Sequence, residues 1–293
     1  MDSDRLKDYA RSLGLDCLGI ASSELAIPTK EKKICPLAAG QGIDRYTPQT
    51  LLENCRAVIV VLFPYYVPTE VPSNLSMYTQ SIDYHLIIQN YLKLLQYFME
   101  QEYPQSNHYL CADTSPLCDR YLAHQAGLGF IGDNNCFIHP IYGSYCFIGS
   151  VLTTVPLVPD TPLTKECFHC GACHKNCPGS CFINSNYDYE YCKSYLTQKK
   201  GDLTPPEIAI IKKTPLIFGC DECQRVCPHN QYIPITPIPE FRKNRILQLQ
   251  RMDLLSLTNN QFRRMYGNRA FAWRGKSILL RNLEYTDKKS KTP

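Results

Sequence analysis

Of the sixteen cysteines in the 293-residue chain, nine fall from Cys167 to Cys227, too clustered for a disulfide framework. Their spacing is that of iron–sulfur chemistry. The run Cys167-Phe-His-Cys170-Gly-Ala-Cys173-His-Lys-Asn-Cys177-Pro178 follows the order CxxCxxCxxxCP, in which three thiolates wrap one 4Fe-4S cube and the fourth reaches a second. A half-motif, Cys220-Asp-Glu-Cys223-Gln-Arg-Val-Cys227-Pro228, lacks its first cysteine, which Cys192 upstream supplies. Crossed ligation assigns Cys167, Cys170, Cys173 and Cys227 to one cluster, and Cys177, Cys192, Cys220 and Cys223 to the other. Zinc is the rival for CxxC pairs, with His169, His174 and His229 near in sequence, but zinc has no use for this order. Those histidines read as loop residues. The other cysteines, Cys17, Cys35, Cys55, Cys111, Cys118, Cys136, Cys146 and Cys181, read as small buried apolar residues in a reducing compartment. Two adjacent cubes move electrons, so the residues in front of them should hold whatever receives those electrons.

The composition, 44% apolar and 20% charged, is that of a globular protein. The longest apolar run, 57–63, is far short of the roughly 20 residues of a membrane span. The charged N-terminus MDSDRLKDYARSLG has no signal-peptide core. Neither a membrane nor a secreted function is expected, and a cytoplasmic location is. From Arg242 onward 13 Lys/Arg stand against 3 Asp/Glu, whereas the residues before it carry 18 against 24. That asymmetry suits a polyanionic partner or a solvated basic face, the lysine-rich end at 288–291 included.

The elements that must position these groups follow from periodicity. A helix built on Leu6, Tyr9, Ala10 and Leu13 should stop at Gly14, before a strand over 17–21. A second helix is expected over 47–55, a buried β-branched strand over 56–63, a long helix over 82–103 and a strand over 109–113. Thr114-Ser115-Pro116 reads as a helix entry. This alternation predicts an α/β layered domain over 1–160, closed by Pro156, Pro159 and Pro162. A ferredoxin-like double-cluster domain over 161–238 should follow, then a short basic helical region over 239–293. That last region should carry Leu247, Leu249, Leu254, Leu255, Phe262 and Met265, with Trp273 as a core aromatic.

Three segments of the front domain, Cys111-Ala-Asp113-Thr-Ser-Pro-Leu-Cys-Asp119-Arg120, Ala126-Gly127-Leu128-Gly129-Phe130-Ile131-Gly132-Asp133-Asn134 and Tyr142-Gly143-Ser144, resemble the signature of the epoxyqueuosine reductase family. Arg45-Tyr46-Thr47-Pro48, Asp83-Tyr84-His85, Cys192-Lys-Ser-Tyr-Leu-Thr-Gln198 and Trp273-Arg274-Gly275-Lys276 extend the resemblance over about residues 5–283. It implies that the α/β domain binds cobalamin and that two 4Fe-4S clusters, fed by an external electron donor, reduce its cobalt. The implied product is queuosine at the wobble position of a tRNA anticodon. Removing an epoxide oxygen needs two electrons and a proton for the departing oxygen, which a carboxylic acid can give. The resemblance makes Asp113 that acid; by its neighbours alone it reads as a helix cap.

Arg45, Asn134, Ser194 and Gln198 are the candidates for the cofactor pocket. No DxHxxG motif is present, so no protein histidine is expected beneath the cobalt, and His85 reads as structural. Gly127, Gly129 and Gly132 read as turn residues. Arg263, Arg264, Arg269, Arg274, Lys276 and Arg281 are the expected contacts to the phosphates of an anticodon stem-loop. Two departures stand out: Asp133, where the family usually has lysine, and Ser76, where some members have cysteine. Two other readings share the residues: an electron-transfer module serving another enzyme, and a corrinoid-dependent reductase of small molecules.

Overall fold

The apolar run at 57–63 forms the strand Ala57–Pro64, and all eight of its residues are buried. In the computed structural model, which describes residues 3–28, 33–183 and 186–287, this strand lies inside a four-stranded sheet. It pairs with Leu18–Ser22 on one side and Cys146–Thr153 on the other, and His108–Ala112 completes the sheet beyond the latter. Every pairing is antiparallel, with Ile20 opposite Ile59 and Ile59 opposite Val151. Covered on both faces, the strand has no polar alternation, as its unbroken β-branched run requires. Val58, Val60 and Leu62 pack with Leu122 and Ala123 of the helix Asp119–Gln125. Phe63 meets Tyr91 of the long helix Tyr84–Glu102 at 5.9 Å between ring centroids. Cutting Leu122 back to alanine here would cost about 2–5 kcal/mol.

The N-terminal helix, Ser3–Ser12, buries Leu6 and Ala10 and stacks Tyr9 on Phe98 at 4.2 Å. Gly14, at φ 80°, turns the chain out of it. Asp160 ties the edge strand down, taking an ion pair from Lys7 at 2.7 Å and the Ile20 N–H at 2.9 Å.

Several expected elements differ. Residues 47–55 form no α-helix: a short 3-10 turn, Pro48–Thr50, gives way to turns, and Asn54 is left-handed at φ 59°. Pro116 does not open a helix. Asp113 is itself left-handed, the Cys118 N–H bonds to the Arg45 carbonyl at 2.9 Å, and the helix begins only at Asp119. Leu247 and Leu249 lie in an extended segment strapped to Asn74, whose N–H donates to the Leu247 carbonyl at 3.0 Å.

Two compact units result, and each is discontinuous: one comprises residues up to Tyr66, His85–Cys170 and His229–Ile238, the other Val67–Tyr84, Gly171–Pro228 and Pro239 onward. The second unit has its own core. Leu254, Phe262, Leu279 and Leu283, from the helices Arg251–Ser256, Asn259–Tyr266 and Lys276–Thr286, pack with Leu75, Ile217 and Phe218. Thr258 and Gln261 form a reciprocal capping box that starts the middle helix. The fully buried Asn282 donates to the carbonyls of Thr197 and Ile217, both at 2.8 Å. Among the described residues no helix is long and apolar enough to cross a membrane. The lysine-rich end at 288–291 lies outside the described residues.

Candidate active site

The strand His108–Ala112 ends in a tight turn, with the Thr114 N–H bonded to the Ala112 carbonyl at 2.7 Å. Asp113 sits in that turn at φ 59°, a conformation aspartate tolerates better than most residues. Its side chain is 61% exposed, and Oδ2 lies 3.7 Å from Nε2 of His85, in the first turn of the long helix. His85 thus faces the expected acid. Asp119, which the sequence reading passed over, contrasts with it: Oδ1 is buried and without a hydrogen-bond partner. Burial, then the nearby charge of Asp113, pushes the Asp119 carboxyl up to about 8.

Two of the cofactor-pocket candidates belong to this unit. Asn134 is 5% exposed; its Oδ1 accepts the Cys136 N–H at 3.1 Å, while Nδ2 is buried and unpartnered. An orphan donor of this kind fits a ligand rich in amide carbonyls, as cobalamin is around the rim of its ring. Arg45 donates to the Gly40 carbonyl at 3.2 Å. Gly143, at φ 60°, lets Asn230 come close, since a Cβ there would stand 2.0 Å from Asn230 Oδ1. Asn230 in turn accepts the Ser144 N–H at 2.7 Å and donates to the Ser144 hydroxyl at 2.9 Å.

The same unit carries the start of the cysteine motif. Cys170 is exposed and Cys167 half-buried. Asp133, standing where lysine is usual, meets Nδ1 of His169 at 2.9 Å. The ligand atoms of Asp133, Cys167 and His169 lie within 4.8 Å of one another, a set able to hold a metal. His229 stacks on Phe168 at 4.0 Å.

The second unit carries the other six motif cysteines. The short helices Ala172–Lys175 and Glu222–Arg225, which bear Cys173 and Cys223, pack against each other. Cys173 and Cys227 are each 8% exposed. Cys177 Sγ lies 3.3 Å from Sγ of Cys181, a cysteine outside the expected ligand set, and Cys181 also bonds the Cys192 side chain. Accepting from Cys181 lowers the Cys177 and Cys192 thiols, while those same bonds raise Cys181. Burial pushes Cys220 up to about 12. None of the sixteen cysteines is in a disulfide. The sulfurs of Cys177, Cys181 and Cys192, in contact through Cys181, are soft donors of the kind that iron–sulfur ligation uses.

Lys193, next to Cys192, is 1% exposed and donates to the carbonyls of Ile211 at 2.6 Å and Thr214 at 2.7 Å, and to the Thr214 hydroxyl at 2.7 Å. Ser76, the second departure, donates to the buried Asp221 carboxylate at 2.6 Å. Ser194 offers its carbonyl to Gln198 Nε2 at 3.0 Å, and Gln198 Oε1 accepts the Trp273 indole N–H at 3.1 Å. The remaining cofactor-pocket candidates, Ser194 and Gln198, are therefore held together in this unit. The Cys177-Pro-Gly-Ser-Cys181 spacing was the available signal for the fifth sulfur of this pocket. Asp119 stood in the front-domain signature, but nothing local marked its burial or that of Lys193.

Trp273 is not a core residue. It is 54% exposed, and the Arg274 guanidinium lies over its ring, 3.7 Å from the centroid. The basic group divides. Arg263 and Arg264 are exposed at the end of their helix. Arg269 donates to the Asn244 carbonyl at 2.8 Å, Arg281 to the Lys199 carbonyl at 2.8 Å, and Lys276 to the Leu254 and Leu257 carbonyls. Those three cations hold backbone together.

Known proteins share this arrangement. Residues 166–230 match a family model for a 4Fe-4S double cluster binding domain, and residues 45–114 match the model described as Epoxyqueuosine reductase QueG, DUF1730. The epoxyqueuosine reductase of Staphylococcus aureus is 31% identical, over 96% of this chain and 80% of that protein. The Prochlorococcus marinus enzyme is also 31% identical, over 98% and 97%. A crystal structure of epoxyqueuosine reductase with an epoxyqueuosine-modified tRNA-Tyr stem loop superposes with a TM-score of 0.86 at 26% identity, covering 97% of this chain and 80% of that one. The Bacillus subtilis enzyme, solved with its catalytic aspartate loop swung out of the active site, gives 0.81 at 25% identity with the same coverage. By sequence along nearly its whole length and by fold, the chain belongs to the epoxyqueuosine reductase family.

Proposed function

We propose that this chain reduces the epoxide of epoxyqueuosine in tRNA, giving queuosine at the wobble position. Its relatives' shared activity supports the reading, and the relative solved with a modified stem loop supports a tRNA partner. Cobalamin and two 4Fe-4S clusters, when bound, supply the two low-potential electrons. Cys167, Cys170, Cys173 and Cys227 would hold one cluster, and Cys177, Cys192, Cys220 and Cys223 the other. Arg45 and Asn134, with Ser194 and Gln198, would line the corrin pocket. An external donor provides the electrons, in a cytoplasmic setting where tRNA and reduced thiols coexist.

Removing the oxygen as water takes two electrons and two protons. Asp113 gives the first proton to the ring oxygen, solvent supplies the second, and the 3.7 Å approach of His85 orients the acid. The observation that carries this role is the exposed carboxylate on a left-handed turn at the end of the central sheet. Exposed Arg263 and Arg264 would meet phosphates, and Trp273, backed by Arg274, offers a face on which a base can stack.

The test is conversion of epoxyqueuosine tRNA by anaerobically reconstituted protein with cobalamin and a reductant, read as nucleoside mass. Conversion by the parent and its loss in Asp113→Asn, with corrin retained, is the expected result. No conversion by fully loaded parent protein overturns the function, and full conversion by the variant removes Asp113 from it.

A further inference from the structure

Cys181 has no place among the eight cluster ligands proposed above, yet it is the least exposed cysteine near them, at 1%. Its position is framed by backbone. The Asp188 N–H donates to the Cys181 carbonyl at 2.8 Å, and the hairpin formed by Phe182–Ile183 and Asn186–Tyr187 follows directly. Gly179 lets the chain fold back this tightly, since a Cβ there would fall 1.6 Å from the Tyr191 carbonyl oxygen. The residue then wraps Cys177: its thiol lies 3.3 Å from Cys177 Sγ, and its N–H donates to the same sulfur at 3.4 Å. Its thiol also reaches the Cys192 side chain.

Resting on the ligand assignment above, we infer that Cys181 is a hydrogen-bond donor to the thiolates of the second 4Fe-4S cluster and raises that cluster's reduction potential. Iron-bound Cys177 and Cys192 have no S–H to give and can only accept, so in the 3.3 Å contact the Cys181 thiol is the donor, beside its own N–H on the same sulfur. A hydrogen bond to a ligand sulfur stabilises the reduced, more negative cluster over the oxidised one. Two sulfurs 3.3 Å apart are too close to bind two different irons of one cube, so Cys181 donates to a ligand and is not a ligand itself.

A redox titration of the anaerobically reconstituted chain, followed by electron paramagnetic resonance with iron counted in parallel, tests this. Cys181→Ala should keep about eight irons. One cluster should become about tenfold harder to reduce at a fixed poise, a downward shift of about 59 mV for a one-electron couple. Cys181→Ser keeps an O–H donor and should recover part of the shift. Unmoved midpoints in Cys181→Ala at full iron content overturn the inference while leaving the ligand assignment standing. Loss of about four irons in that variant overturns both, because Cys181 would then be a ligand.

Discussion

After the strand His108–Ala112 the Asp113 carboxylate is held out toward solvent on a left-handed backbone, beside a histidine from a distant helix. In the pocket of Cys177, Cys181 and Cys192 the sulfurs bond one another, and the neighbouring Lys193 has three internal acceptors. The first region keeps a reactive group accessible at some conformational cost. The second encloses its groups, so its work is to hold and tune whatever it binds. Loss of function without loss of stability should therefore mark the turn, and the reverse should mark residues that brace the pocket.

The largest effect that could break this contrast is at Asp113. Asp113→Asn should lower turnover by at least about a hundredfold, within the range of general acid catalysis. Its unfolding free energy should stay within about 0.5 kcal/mol of the parent. A comparable loss of stability would make the turn a structural device. On the other side, Lys193→Met strips donors from two carbonyls and a hydroxyl and should destabilise by about 2–3 kcal/mol in denaturant unfolding. An unchanged midpoint would show the pocket to be less enclosed than its hydrogen bonds imply.

Asp119 sharpens the comparison within the first unit. Its carboxyl titrates near about 8 in the folded chain, against about 3.9 when unfolded. Between those values the unfolded chain has released the proton and the folded chain retains it. Stability therefore falls as pH rises through this window, by at most about 1.4 kcal/mol per unit. Asp119→Asn should flatten that slope, read as thermal midpoints at about pH 5 and about pH 8; a slope unchanged in the variant would assign it elsewhere. The smallest effect separates the basic residues. Arg263→Ser should lower the salt slope of tRNA binding by about 1, whereas Arg281→Ser should weaken folding and leave that slope alone. Equal salt slopes in both variants would remove the division between presented and committed cations.

Much of the fold was readable along the chain. The run at 57–63, the apolar spacing of the long helix and the turn at Gly14 are local patterns, and each became the element it suggested. The cysteine order is equally local and agrees with the double-cluster family model over residues 166–230. Readings failed where a distant partner overrode the local pattern. Cys118 bonds Arg45 and Leu249 bonds Asn74, and neither segment forms the helix its neighbours suggested. The exposed face of Trp273 depends on Gln198, and the bracing role of Arg281 on the carbonyls of residues 196–201.

What the order of residues settled alone was the chemistry available: sulfur at iron–sulfur spacing, an acid before Thr-Ser-Pro, and a basic end. What waited for the folded chain was the environment of each group: Asp113 beside His85, Ser76 on Asp221, and a fifth sulfur against Cys177. Spacing along a chain sets which ligands can reach a common centre. Burial and partnership, which govern protonation and potential, come from residues far apart along the chain, 145 positions in the case of Ser76 and Asp221, and only packing brings those together.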